Sequence, residues 1–201
     1  MSQLKQQAGF TIVELMVATT VFSIVMLIGL AAVTQIGKMY YKGVVTSQTQ
    51  EVARAISNNI AQSVQLSSGE ITSPSGASGS FCVGNVRYSY VLDQEIEIDQ
   101  PHILWSDTLD NCKNVAHPSL LVPMTATPGG VDGKELMGQN MRLSTITLTQ
   151  FGTTSLYDLT VGVIYGDTGT LLASHQACSG SYLTAQFCAV TNISTTVKKR
   201  L

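Results

Sequence analysis

A long uncharged stretch near the start of the chain limits its fold more than any other feature. No charged residue lies between Glu14 and Lys38, and residues 15–36 are predominantly apolar. At a rise of about 1.5 Å per residue, a helix of this length can cross a bilayer core of about 30 Å. The sequence therefore predicts a membrane-spanning helix over residues 15–36.

The carboxylate of Glu14 at the start of this stretch requires an explanation, because a charge at membrane depth costs roughly 2.5 kcal/mol or more without a partner. Residues 1–9, MSQLKQQAG, are polar, contain the single cation Lys5 and lack the apolar centre of a secretory signal peptide. A cut between Gly9 and Phe10 would create an amine about one helical turn from Glu14. That amine, or the amine of a neighbouring subunit, could pair with the carboxylate.

The stretch GFTIVELM resembles, residue for residue, the cleavage and methylation motif of the type IV pilin and type II secretion pseudopilin superfamily. This resemblance implies that prepilin peptidase cuts after Gly9, that Phe10 becomes the N-methylated first residue, and that Glu14 is the assembly carboxylate. The resemblance in sequence covers residues 9–33. Beyond them, only the general architecture is similar. The alternative is an ordinary signal anchor with an accidental glutamate.

The helical pattern continues beyond the apolar run but changes character. Lysines and tyrosines at residues 38–42 suit a membrane interface. Apolar residues then recur every four positions, which predicts one stripe on an amphipathic helix. The stripe consists of Val52, Ile56, Ile60 and Val64. We expect it to pack under the following domain rather than to form a groove for a partner. The Gly and Pro residues of positions 69–80 end the helix.

We therefore expect a leader peptide at residues 1–9 and an N-terminal helix at residues 10–68, transmembrane over 15–36 and amphipathic over 37–68. A globular head at residues 69–201 follows. Alternating β-prone residues in the head predict strands, and the fold class is α+β, with a long helical stalk packed against a β-rich head. The expected strands are residues 86–92, 95–99, 141–151, 156–165 and 187–197.

Two connections in the head are also predicted from turn-forming residues. Prolines interrupt the middle of the head, so residues 111–134 are expected to be loop, with GGVDGK at residues 129–134 as the most turn-like piece. The sequence GDTG at residues 166–169 is expected to turn strand 156–165 back into residues 170–177 as a hairpin.

Four cysteines follow the membrane stretch and lack the paired spacing of a zinc site. They are Cys82, Cys112, Cys178 and Cys188. An even number of thiols in an exported head favours two disulfides over free buried thiols. Of the three connectivities, we expect the local one, Cys82 with Cys112 and Cys178 with Cys188, because short loops close at lower entropy cost.

The sequence lacks the signatures of an enzyme, and neither a cofactor nor a metal is expected. His102, His117 and His175 are widely separated, without metal-binding or nucleophile motifs, and are expected to be surface or loop residues. Alternating acids follow residue 92 and could suggest calcium, but acids on one side of a strand more simply form a solvated face. These acids are Asp93, Glu95, Glu97 and Asp99.

The resemblance implies a structural subunit, most similar to a minor pilin or a J-type minor pseudopilin. Its partners would be other pilin subunits, prepilin peptidase, the membrane assembly platform and the inner membrane. The alternatives are a secretion pseudopilin and a tip subunit that binds a surface or DNA. The net charge of −2 gives no global attraction for nucleic acid, and the compact basic run at residues 198–200 is either a DNA contact or a solvated terminus. The head is expected outside the cytoplasmic membrane and later in a filament.

Overall fold

The computed structural model describes residues 10–94, 102–110, 112, 118–120, 122, 125–166, 169–171, 177–179 and 185–200. Within these residues the protein has one α-helix, α1 (Ile12–Leu66), followed by antiparallel strands and short 3-10 turns. The fold is therefore α+β with a β-rich head, as the sequence predicted.

The described strands form two separate antiparallel sheets. The strands are β1 (Ser78–Val83), β2 (Val86–Val91), β3 (Leu104–Thr108), β4 (Gly133–Glu135), β5 (Met141–Gln150), β6 (Leu156–Tyr165) and β7 (Ala189–Lys198). The first sheet has the order β1-β2-β3-β4 and the second has the order β5-β6-β7. Neighbouring strands in both sheets also follow each other in the order of the chain, so each sheet is a meander.

The chain divides into two compact units, Met1–Tyr40 and Tyr41–Leu201. In the second unit, the apolar stripe of α1 packs into one core with both sheets. Ile56, Ile60 and Val64 are at most 1% exposed and share this core with residues such as Tyr88 and Leu159, while Val52 packs against it partly buried. The prediction that the stripe packs under the head is therefore confirmed.

Strands β2, β5 and β6 confirm the predictions at residues 86–92, 141–151 and 156–165 to within a residue at each end. Strand β7 confirms most of the predicted strand 187–197, except that Phe187 belongs to the 3-10 turn Ala185–Phe187. The predicted strand at residues 95–99, with the acids Glu95, Glu97 and Asp99, lies outside the described residues.

The predicted hairpin from β6 into residues 170–177 is wrong. Strand β6 pairs along its length with β5 on one side and with β7 on the other, so neither edge is open to another strand. Leu171 instead forms an isolated bridge with Cys178.

The prediction of loop through residue 134 is also wrong at its end, because Gly133 and Lys134 belong to β4 and pair with Asp107 and Ser106 of β3. A side chain at Gly133 would lie 2.6 Å from the Trp105 indole nitrogen, so the glycine permits the close pairing.

Candidate functional site

The predicted processing and assembly residues lie at the beginning of α1, where Thr11 and Glu14 form a capping box. The backbone N–H and the hydroxyl of Thr11 both donate to Oε2 of Glu14 at 2.9 Å. In return, the backbone N–H of Glu14 donates to Oγ1 of Thr11 at 3.3 Å. Since α1 begins at Ile12, Thr11 is the N-cap and Glu14 is the third helical residue.

The capping box gives Glu14 a local role that the sequence reasoning missed. A charged partner was expected for Glu14, although the T-x-x-E spacing before an apolar run is itself the sequence signal of a capping box. The carboxylate supports the helix N-terminus, whose exposed N–H groups favour a negative charge. Phe10 precedes the box and is 89% exposed, whereas Gly9 lies outside the described residues.

The stretch of α1 that follows presents large apolar side chains to its surroundings. Phe22, Leu27 and Ile28 are between 62% and 67% exposed. An 18-residue window of this helix has a mean hydropathy of 2.4 and is not buried within the protein, and its length and composition suffice to cross a membrane. Such a surface is suited to lipid or to the apolar surface of another protein.

All four cysteines form disulfides in the predicted local pairing. Cys82 is bonded to Cys112 with 5.9 Å between Cα atoms, and Cys178 is bonded to Cys188 with 5.7 Å between Cα atoms. The first bond attaches the chain after β3 to β1, and the second lies beside the start of β7.

Three charged side chains of the head, those of Arg87, Asp107 and Glu135, are held by other groups of the fold. Arg87 and Asp107 face each other across β2 and β3, and Nε of Arg87 donates to Oδ1 of Asp107 at 3.0 Å. Both side chains are at most 2% exposed. Glu135 accepts backbone N–H groups from Ile103 and Leu104, so this carboxylate is also saturated by the fold.

His102, expected at the surface or in a loop, is buried just before β3. Its Nδ1 lies 3.2 Å from Oε2 of Glu135, and its Nε2 lies 2.9 Å from the carbonyl oxygen of Ala126. Within the part of the chain that the structure describes, no group of three His, Cys, Asp or Glu residues could hold a metal ion. His117 and His175 lie outside that part.

The basic run at the end of β7 is partly used within the protein. Nζ of Lys199 donates to the carbonyl oxygen of Gly69 at 2.6 Å, and the backbone N–H of Arg200 donates to the carbonyl oxygen of Gln65. These contacts join the end of β7 to the end of α1. The first contact restricts the Lys199 ammonium group, which is then less free to bind nucleic acid, whereas the second involves only the backbone of Arg200.

Comparison with known protein families identifies the N-terminal region. Residues 4–30 match the family model of the prokaryotic N-terminal methylation motif. No curated protein and no solved structure matches the chain. The matched residues include Gly9, Phe10 and Glu14 together with most of the apolar run. The match supports a class III prepilin-type pilin or pseudopilin subunit that prepilin peptidase processes.

Proposed function

We propose that this protein is a minor pilin, a structural subunit of a type IV pilus-like filament. The methylation motif at residues 4–30, continuous with the exposed apolar stretch of α1, is the observation that carries the proposal. In this proposal prepilin peptidase removes residues 1–9, Phe10 is N-methylated, and Glu14 directs assembly by pairing with the amine of Phe10, its own or a neighbour's.

The proposed life cycle has a membrane stage and a filament stage. Residues 15–36 first hold the subunit in the cytoplasmic membrane with the head outside, where two disulfides suit an oxidising compartment. The membrane assembly platform then transfers the subunit into a filament, where the apolar helix packs against other pilin subunits instead of lipid. The protein is a structural subunit in both stages, with no enzymatic step of its own.

A minor pseudopilin of a type II secretion system is the alternative, because it would use the same motif and the same helix. A tip subunit for DNA is less well supported, since Lys199 is held by the carbonyl of Gly69. Immunogold labelling of the native cells would separate the first two roles: labelled surface filaments support a pilus, and label confined to the envelope supports a secretion system.

Mass spectrometry of the protein from its native cell tests the processing step. We expect an amino terminus at N-methylated Phe10 and no peptide from residues 1–9. A Gly9→Ala variant should remain uncut, because the residue directly before the cut is changed. The leader of this variant keeps its charge and length, so a lost cut would be due to that residue alone. A mature native protein that still starts at Met1 would contradict the proposed function.

A further inference from the structure

One turn of α1 contacts the head through a segment that a disulfide fixes in place. Nζ of Lys42 donates hydrogen bonds to the carbonyl oxygens of Cys188 and Ala185, the latter at 3.2 Å. The ring of Tyr41 lies 6.1 Å from the ring of Phe187, measured between centroids and at a tilt of 51°. Residues 185–188 therefore contact two consecutive helix residues.

The 185–188 segment is held by Cys178. Cys188 is fully buried and forms a small apolar cluster with Ile164 and Leu171, against which Cys178 packs. The disulfide joins Cys188 to Cys178, and the bridge between Leu171 and Cys178 connects this pair to the chain after β6. The carbonyl groups that bind Lys42 therefore lie on a segment with two attachments. One is the disulfide between Cys178 and Cys188, which are ten residues apart in sequence, and the other is β7, whose first residue Ala189 pairs with Tyr165.

The contact at Lys42 differs in kind from the stripe farther along α1. Ala53, Ile56, Ile60 and Val64 pack into the main core with both sheets, and that packing involves no cysteine. The Lys42 ammonium group instead meets carbonyl oxygens, and it forms no ion pair among the described residues. A cation held by carbonyl groups is sensitive to their position, because its hydrogen bonds require short distances and suitable angles.

We propose that the Cys178–Cys188 disulfide is a redox-sensitive clasp that fixes the turn of α1 at residues 41–45 to the head. The oxidised bond holds the 185–188 segment so that Lys42 and Tyr41 are bound. Reduction frees that segment and releases the turn, while the stripe from Ala53 to Val64 keeps its packing. The proposal requires a folded head and is independent of the proposed filament function.

The chemistry of opening is a thiol–disulfide exchange with a dithiol reductant. A thiolate of the dithiol attacks one sulfur, the bond between Cys178 and Cys188 breaks, and the second thiol of the reductant resolves the mixed disulfide. Two electrons and two protons pass to the protein, which gains two thiols, and the reductant becomes a disulfide. Cys178 is half-buried, whereas Cys188, Cys82 and Cys112 are at most 8% exposed, so Cys178 is the more accessible end of the Cys178–Cys188 bond.

Amide hydrogen exchange of the full-length protein in detergent micelles tests the clasp. In a Cys178→Ser/Cys188→Ser variant, we expect exchange in peptides covering residues 41–49 to rise about tenfold, as for the loss of a hydrogen bond to a charged group. Exchange in peptides covering residues 53–64 should change little. The matched control is Cys82→Ser/Cys112→Ser, which removes the other disulfide and should not raise exchange at residues 41–49.

A second variant keeps the test decisive if the cysteine variant folds poorly. Lys42→Met in the oxidised protein removes the cation but keeps a long side chain, and it should raise exchange at residues 41–49 with both disulfides intact. Unchanged exchange there in Lys42→Met would overturn the clasp. An equal rise over residues 41–49 and 53–64 in the Cys178→Ser/Cys188→Ser protein would also overturn it, because the bond would then stabilise the whole head.

Discussion

Two stretches of the same helix place their apolar side chains in opposite environments. In the first unit, Ile28 is 66% exposed and its apolar neighbours surround the whole helix. In the second unit, Ile60 is fully buried, and the apolar residues follow a single stripe. A helix that is apolar all round requires a nonaqueous environment, whereas a single stripe requires one packed neighbour. The first stretch therefore depends on a membrane or on other subunits, and the second depends on the head of its own chain.

The largest expected effect concerns the carboxylate at the start of the first stretch. If Glu14 pairs with the amine of Phe10 as proposed, Glu14→Gln should be processed and inserted normally but should enter filaments at least about tenfold less, because losing one partner of a desolvated ion pair costs roughly 3–5 kcal/mol. The measurement is the fraction of processed protein recovered in sheared filaments relative to the membrane fraction. Glu14→Asp should be partly impaired, since the shorter side chain misplaces its oxygens.

Glu51→Gln is the matched control for this prediction, because it removes an exposed carboxylate from the second stretch of the same helix. It should assemble like the unchanged protein. Normal assembly of Glu14→Gln would mean that the capping box with Thr11 is the whole role of this carboxylate, or that the subunit sits at a filament tip without a neighbour ahead of it.

The next effect tests whether the head tolerates buried charge only in pairs. Arg87→Met leaves the carboxylate of Asp107 buried without its partner, so the free energy of unfolding should fall by roughly 3–5 kcal/mol. Denaturant unfolding of the full-length protein in detergent measures this loss. The double variant Arg87→Met/Asp107→Leu should recover much of the stability, and a double variant as unstable as the single one would contradict the explanation.

A pair of matched substitutions compares the two stretches directly. Ile60→Ala removes a fully buried side chain and should lower the free energy of unfolding of the head by roughly 2–5 kcal/mol. Ile28→Ala makes the same chemical change at an exposed position of the first stretch and should leave head unfolding unchanged. Equal losses from the two variants, measured by the same unfolding experiment, would show that both stretches depend on the head.

The smallest expected effect is at Tyr88, whose hydroxyl lies 2.8 Å from Oδ1 of Asn59 and 2.8 Å from Oγ of Ser63. Tyr88→Phe should lower the free energy of unfolding by about 1 kcal/mol, since the hydrogen-bond partners of the lost hydroxyl can bind water instead.

Burial raises the pKa of Tyr88, so the folded state retains the phenol proton more strongly than the unfolded state. The contribution of the protonated Tyr88 to the free energy of unfolding is complete below a pH of about 10, and it is lost as the pH rises through the folded-state pKa. The fall in stability at alkaline pH should therefore be shallower in Tyr88→Phe, and identical slopes would contradict this assignment.

The local patterns predicted α1, β2, β5, β6 and most of β7, but they missed β1, β3 and β4. Two of the errors, β4 and the hairpin after β6, concern nonlocal pairing. Helix α1 and strands β2, β5 and β6 have clear apolar periods, which the sequence displays directly. Strand β4 is only three residues long and begins with a glycine, so it carries no such pattern. The turn sequence GDTG led to the expected hairpin after β6. The edge of β6 that this hairpin would use is instead paired with β7, which begins more than twenty residues after β6 ends.

The candidate site divides in the same way. The motif around Gly9, Phe10 and Glu14 was readable because its residues are adjacent, and the Thr11 cap could have been read from the same spacing. The Arg87–Asp107 pair could not be predicted from the sequence, because it depends on the register that places β2 against β3. The contact between Lys42 and Cys188 joins residues 146 positions apart, which no local pattern indicates.

The sequence by itself determined the apolar helix, its terminal motif and the β-rich character of the head, because each depends on composition or on neighbours within a few positions. Tertiary structure alone decided which strands share a sheet, that His102 is buried, and that Lys42 and Lys199 bind backbone carbonyls of the head. These outcomes depend on which distant segments meet when the core forms. A lysine such as Lys42 is solvated if no carbonyl group comes near it and is bound if the fold places one beside it.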